Sequence, residues 1–112
     1  MLKICAVIKA KADLTREEFI YFWQVEHPAV VRALPGVRRY VQNMSIEHRS
    51  EWPFQGVAEV YFDSKKDIAV AFSSPAADVM REHEKKFVEK IEWIITIETE
   101  VPLRETGARE VG

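Results

Sequence analysis

The chain has 112 residues, enough for one domain around one core. Apolar residues make up 47% and charged residues 30%, and a formal net charge of −2 gives no general attraction to nucleic acid or to an anionic membrane. A lone cysteine, Cys5, excludes an internal disulfide, and the opening MLKICAVIKAKAD is too briefly apolar for a membrane span or a signal peptide, so a cytoplasmic protein is expected.

Leu2 to Lys9 reads as a strand apolar on both faces, which predicts a central position. Thr15-Arg16-Glu17-Glu18 fits a capping box, so a helix should start there and run to about Ala33. Phe19, Phe22, Trp23, Val30 and Leu34 form its apolar stripe, and His27 falls within that stripe. Pro28 has no N–H for the helix, which predicts a kink or a restart near His27. Pro35-Gly36 should end the element. Val37 to Ser45 reads as a second strand, with Arg38, Tyr40, Gln42 and Met44 on one face. A polar, aromatic loop, IEHRSEWPFQG, precedes a third strand from Val57 to Phe62. A short helix should follow from about Ser64 to Phe72. Another should start at Ser74-Pro75, with Ala76, Met80, His83, Phe87 and Ile91 on one stripe. The last strand is expected from Trp93 to Glu100.

The order is βαββαβ, the split-βαβ, ferredoxin-like α+β pattern: a four-stranded antiparallel sheet with its helices on one face. Residues 1–102 then form one domain and 103–112 a polar tail. The free sheet face carries too many Ile, Val, Tyr and Trp side chains to be left to water. Sheet-to-sheet packing of two copies into a shared barrel would cover it, so a homodimer is expected.

Several residues carry chemistry. An imidazole such as His27 can accept and return a proton near neutral pH; the plainer alternative is a buried ring bonded to backbone. Tyr40 can orient a carbonyl or stabilise an enolate, Arg38 can pair with a carboxylate, and Glu59 can act as an acid or base if buried. For these three the plainer readings are a strand edge and an ion pair. His48 lies in the long loop, which could close a cavity mouth. His83 is expected to be a packing residue and Cys5 an inert one. There is no HxH, HxxxH, CxxC, GxGxxG or GxxxxGK[ST] pattern, so no metal or nucleotide cofactor is expected.

The stretches REEFIYFWQVEHPAVVRALPGVRRYVQN (16–43) and GVAEVYFDS (56–64), and more loosely HEKKFVEKIEWIITIETEVP (83–102), resemble the EthD-type members of the dimeric α+β-barrel superfamily. The resemblance spans the chain apart from the 46–55 loop and the tail. It aligns a histidine at position 27, whereas at position 83 relatives commonly carry an acidic residue. Similar families include methylmuconolactone methylisomerases and fungal enzymes that dehydrate or decarboxylate polyketides, in which the barrel cavity holds the substrate without a cofactor. The resemblance implies the fold and a small-molecule pocket, and the function expected on that scaffold is a cofactor-independent isomerase or lyase acting on a small aromatic, lactone or polyketide-like metabolite. His27, Tyr40 and Glu59 are the expected catalytic residues, and Trp23, Arg38, Gln42, Tyr61 and His48 the expected substrate-binding ones. The alternatives are a non-catalytic accessory protein of an oxidase system and a cofactor-free or haem-linked oxygenase.

Overall fold

The computed structural model describes residues 1–104, so most of the expected tail lies outside the described residues. The strands are β1 (Leu2–Ala10), β2 (Arg39–Met44), β3 (Gly56–Phe62) and β4 (Val88–Ile97), and they form one antiparallel sheet in the order β2-β3-β1-β4. β1 is central, as its two apolar faces require. Its even-numbered residues Ile4, Ala6 and Ile8 are buried beneath the helices. Lys3, Cys5 and Val7 face the other way. The result is the expected ferredoxin-like α+β fold.

The first helical region is continuous from Arg16 to Arg32 but changes pitch twice. Thr15 caps α1 (Arg16–Ile20) through the full capping box: its hydroxyl accepts from the Glu18 N–H, and Glu18 reaches back to the Thr15 N–H. From Tyr21 to Glu26 the helix widens into a π-helical segment, in which the His27 N–H bonds the Phe22 carbonyl five residues back. Normal α geometry resumes in α2 (His27–Arg32), with Pro28 in its first turn, where a missing N–H is tolerated. Ile20, Tyr21, Glu26 and His27 all keep right-handed helical angles. The kink or restart expected at His27 is thus replaced by an overwide turn just before it. In that wide register the donor due to reach the Trp23 carbonyl is residue 28, a proline. Gln42 Nε2 donates to that carbonyl instead, at 2.7 Å. Gly36, at φ +83°, then turns the chain into β2, a conformation that favours glycine.

α3 (Lys65–Phe72) and α4 (Pro75–Glu84) complete the helical layer. α4 stops at Glu84, so its stripe does not extend to Phe87 and Ile91. A tight turn closes through Lys85, Lys86 and Phe87, whose N–H groups bond carbonyls three residues back. Phe87 is fully buried against Phe19 and Phe22, and its carbonyl accepts from the Lys11 N–H. β4 consequently begins at Val88, five residues before the expected Trp93. Residues 87 and 91, four apart, satisfy a helical stripe and a strand alternation equally, which is why spacing alone misplaces this boundary.

The core forms two clusters beneath the helices. One gathers Ile4, Val31, Leu34, Phe62, Ile68 and Met80. The other gathers Ala6, Ile8, Phe19, Trp23, Ala58 and Phe87, and Tyr40 packs against both. Gly56 makes room for the second. A Cβ there would meet Trp23 Cη2 and lie 2.5 Å from Trp23 Cζ3 and 3.2 Å from the Asn43 carbonyl oxygen. Neither a fully buried indole nor a strand backbone can give way cheaply. Gly56→Ala is therefore expected to destabilise the fold by about 1–3 kcal/mol through overpacking. Urea denaturation would read this, and an unchanged midpoint would show that Trp23 has room to shift.

Candidate functional site

Between the two clusters lies a cavity of about 380 Å³, on the helix side of the sheet. Its floor is low because two alanines, Ala6 and Ala58, pair in register at the middle of the sheet. Trp23, His27 and Val31 wall it from the first helical region, Met80, Arg81 and Glu84 from α4, Tyr40 from β2, and Ile91 and Trp93 from β4. Trp93 is 59% exposed, so the β4 wall faces outward and gives access. The volume suits a small, partly planar ligand.

His27 is 4% exposed and is the buried polar residue of the core among the described residues. Its Nδ1 lies 2.9 Å from Nδ1 of His83, and the two rings stack with centroids 5.1 Å apart. His83 Nε2 lies 2.9 Å from Glu26 Oε1. On the cavity side, His27 Nε2 is 3.7 Å from Glu84 Oε2. Burial, with a smaller push from His83, lowers the His27 pKa to about 4, so the ring is neutral at pH 7. Burial raises Glu84 to about 7 against the opposing effect of Arg81. Glu26 is held below the usual carboxylate range, chiefly by its hydrogen bond with His83.

Tyr40 is fixed from behind. Gln42 Nε2 donates to Tyr40 Oη at 2.8 Å as well as to the Trp23 carbonyl, so the phenol's own hydrogen is left to donate elsewhere. Burial pushes the Tyr40 pKa up to about 12, opposed by Gln42 and by the nearby Trp23 side chain. Trp23 Nε1 is the buried side-chain polar atom that finds no hydrogen-bond partner among the described residues. The cavity thus presents a neutral imidazole and a carboxyl group poised between its two forms. Beside them are two donors, Tyr40 O–H and Trp23 N–H, suited to an oxygen acceptor.

The structure brings together His27, Tyr40 and Trp23, with Gln42 directly behind. It places the other expected residues elsewhere. Glu59 and Tyr61 point to the opposite sheet face, where Lys3 Nζ lies 3.4 Å from Glu59 Oε2 and Tyr61 Oη donates to Glu98 at 2.9 Å. Arg38 precedes β2 and pairs with Asp63 at 2.7 Å in an exposed position. His48 accepts from the Ser50 N–H and lies against Trp52 in the loop, beside a separate cavity. Glu84 and Glu26 are not among the expected residues, and His83, expected to pack, instead sits in hydrogen-bond contact with both His27 and Glu26. Only the run Glu82-His83-Glu84, a histidine flanked by carboxylates, offered a signal. Among the described residues, no group of three or more His, Cys, Asp or Glu side chains could hold a metal ion. No described helix is long and apolar enough to cross a membrane.

The two buried titrating groups act on stability with opposite signs. Glu84 binds its proton more tightly when folded, so its contribution falls as pH rises from about 4.5 to 7. His27 binds its proton less tightly when folded, so its contribution is lost as pH falls from about 6.5 to 4. The two offset each other through most of this range. Glu84→Gln removes the first alone and should stabilise the protein at pH 8 by up to about 3 kcal/mol more than at pH 5. Urea unfolding at both pH values would show this, and equal increments would mean that Glu84 titrates normally.

Comparison with known proteins assigns the family. The model of the EthD domain matches residues 11–91. Among solved structures, an ethyl tert-butyl ether d (EthD) family protein from Bacillus halodurans superposes with a TM-score of 0.75 at 20% identity, covering 88% of this chain and 99% of that one. A dimeric protein of unknown function and ferredoxin-like fold from Bacteroides fragilis gives 0.66 at 14% identity, covering 85% and 93%. A candidate antibiotic biosynthesis monooxygenase from Nitrosomonas europaea gives 0.62 at 18% identity, covering 88% and 98%. No curated protein matches the chain. The matched domain takes in the helical region with His27, the loop and strands around Tyr40, and α4 with its glutamate: the chain belongs to the EthD family.

Proposed function

We propose that the protein binds a small, planar, partly apolar metabolite in the cavity and acts on it as a cofactor-independent isomerase or lyase. The observation that carries this reading is a buried, neutral histidine facing an apolar cavity across from a carboxyl group, with the unpartnered Trp23 N–H beside it. An aromatic, lactone or polyketide-like ring fits over the Ala6–Ala58 floor. Its carbonyl or phenol oxygen accepts from Tyr40 O–H and Trp23 N–H, which stabilise the charge that develops there as a proton leaves. His27 Nε2 takes that proton and returns it at a neighbouring atom. Glu84, protonated in part at pH 7, serves as the acid for a departing oxygen. The likeness to the Nitrosomonas europaea structure supports a second reading, a cofactor-free oxygenase using the same cavity. Glu59, Arg38, Tyr61 and His48 take no part in either reading.

We assign the working form to a homodimer through the free sheet face, in keeping with the Bacteroides fragilis structure described as dimeric. That face exposes Ile94 and carries Val7, Val57 and Tyr61 around the Lys3 ion pairs. Light scattering on the eluting protein should give about twice the 13.0 kDa chain mass, and a clean monomer would overturn this assembly.

Thermal-shift screening against aromatic acids, lactones and polyketide-like phenols tests the site. A ligand at about 100 times its Kd adds about 2.7 kcal/mol, a shift of several degrees for a domain of this size. At least one class should stabilise the wild type, less so His27→Ala, and not at all Ala58→Leu, which fills the cavity floor. An equal shift in Ala58→Leu would place the ligand elsewhere. No shift by any class in the wild type would overturn the reading.

A further inference from the structure

His27 presents a difficulty as a base. Its burial disfavours the imidazolium, and a ring held near 4 is a weak proton acceptor at neutral pH. The contacts behind it resolve this. Glu26, ionised at neutral pH, accepts from His83 Nε2–H, which fixes that tautomer and leaves His83 Nδ1 with its lone pair. At 2.9 Å from His27 Nδ1, that lone pair requires the hydrogen to sit on His27. His27 Nε2 is then unprotonated, and it is the nitrogen on the cavity side.

We infer that His83 and Glu26 form a proton relay behind His27, which carries the positive charge out of the cavity wall to a histidine–carboxylate pair at its outer edge. The inference rests on the reading of His27 as the group that handles the substrate proton. The step balances within the protein. Nε2 of His27 takes the proton from the substrate, whose bonding electrons stay behind on the substrate as an enolate or phenolate. The proton on His27 Nδ1 passes to His83 Nδ1. His27 is left neutral with its hydrogen on Nε2, and His83 becomes an imidazolium paired with Glu26. The reverse sequence returns the proton, and nothing is consumed. His83 and Glu26 do not touch the substrate and are positioning residues.

The surroundings fit this direction of charge. Glu26 has a half-buried carboxylate, with Lys86 Nζ at 4.0 Å and the Tyr21 hydroxyl also acting on it. His83 lies at the edge of a shallow surface groove shared with Asp78, Glu82, Lys85 and Lys86. Around His27 the charged or titrating neighbours are Glu84 and Tyr40 with Arg81, all on the cavity wall. The carboxylate that can stabilise a histidine cation in hydrogen-bond contact is therefore on the His83 side.

Long-range proton–nitrogen NMR on histidine-labelled protein, free of ligand, tests the relay directly. At neutral pH His27 should carry Nδ1–H and His83 Nε2–H. On acidification one coupled step should appear, in which His83 becomes doubly protonated while His27 switches to Nε2–H. A packing pair would show no such switch. In Glu26→Gln the midpoint of that step should fall by about one pH unit, since the cation loses its carboxylate. Nε2–H on His27 at neutral pH, a tautomer that persists through the step, or an unmoved midpoint in Glu26→Gln would each overturn the relay. Because no ligand is involved, such a failure would be distinct from a failure of the binding screen.

Discussion

One missing hydrogen organises the site. Pro28 withholds the N–H that the wide helical turn would otherwise give to the Trp23 carbonyl, and a buried carbonyl must find another donor. Gln42 supplies it, and the same amide nitrogen also holds the Tyr40 hydroxyl. A backbone defect on one helix thereby fixes a side chain on a strand of the sheet. The π-helical turn has a second effect. It widens the helix between Phe19 and Val31, over the stretch from which Trp23 and His27 line the cavity. A regular helix with leucine at position 27 would pack well and leave nothing for chemistry.

The cavity is bounded by the same economy. Its floor is open because two strand residues are alanine, and its roof is held up by a tryptophan that a glycine accommodates from below. Alanine packs poorly on a sheet, and a low floor forgoes contacts worth a few kcal/mol. Into this space the fold places ionisable groups whose burial acts in opposite senses. Low dielectric favours neutral His27 and the protonated form of Glu84, so the imidazole carries no charge at neutral pH while Glu84 is ionised only in part. A carboxylate in hydrogen-bond contact with a histidine sits one ring behind, where Glu26 meets His83.

Much of this architecture is legible in the sequence, and the parts that are not have identifiable causes. The two-faced apolar pattern of residues 2–9 places β1 at the centre of the sheet, and Thr15 with Glu18 fixes the start of the helix. His27 stands out by its place in an apolar helical stripe, and Tyr40 by a strand face shared with Arg38, Gln42 and Met44. Residues 87 and 91 obey both periods, and the packing of Phe87 against Phe19 decides between them, a contact between segments far apart in the chain. Glu59 and Tyr61 stand out by residue type, but the register of β3 against β1 turns them to the face away from His27. The pairing of His83 with His27 depends on how α4 lies across α2, and nothing local encodes that. Spacing within one element says which residues share a face; it does not say which faces meet.

The strand order has a consequence for how the protein is made. β1 is synthesised early, yet its neighbours are β3 and β4, and Leu2 pairs with Ile97. During translation the most apolar strand of the sheet must wait for one partner about half the domain away and for another at its far end. Its contacts are among the least local a chain of this size can form, which slows folding and prolongs exposure of a sticky segment. Lys3 and Lys9 near its ends, and Lys11 just beyond, add charge that discourages pairing with other chains in that interval. The cavity inherits the delay. With Ile91 and Trp93 of β4 in its wall, it exists only once the last strand has docked. A chain lacking β4 would therefore leave the cavity open on one side and turn β1, the most apolar strand, into an unpaired edge.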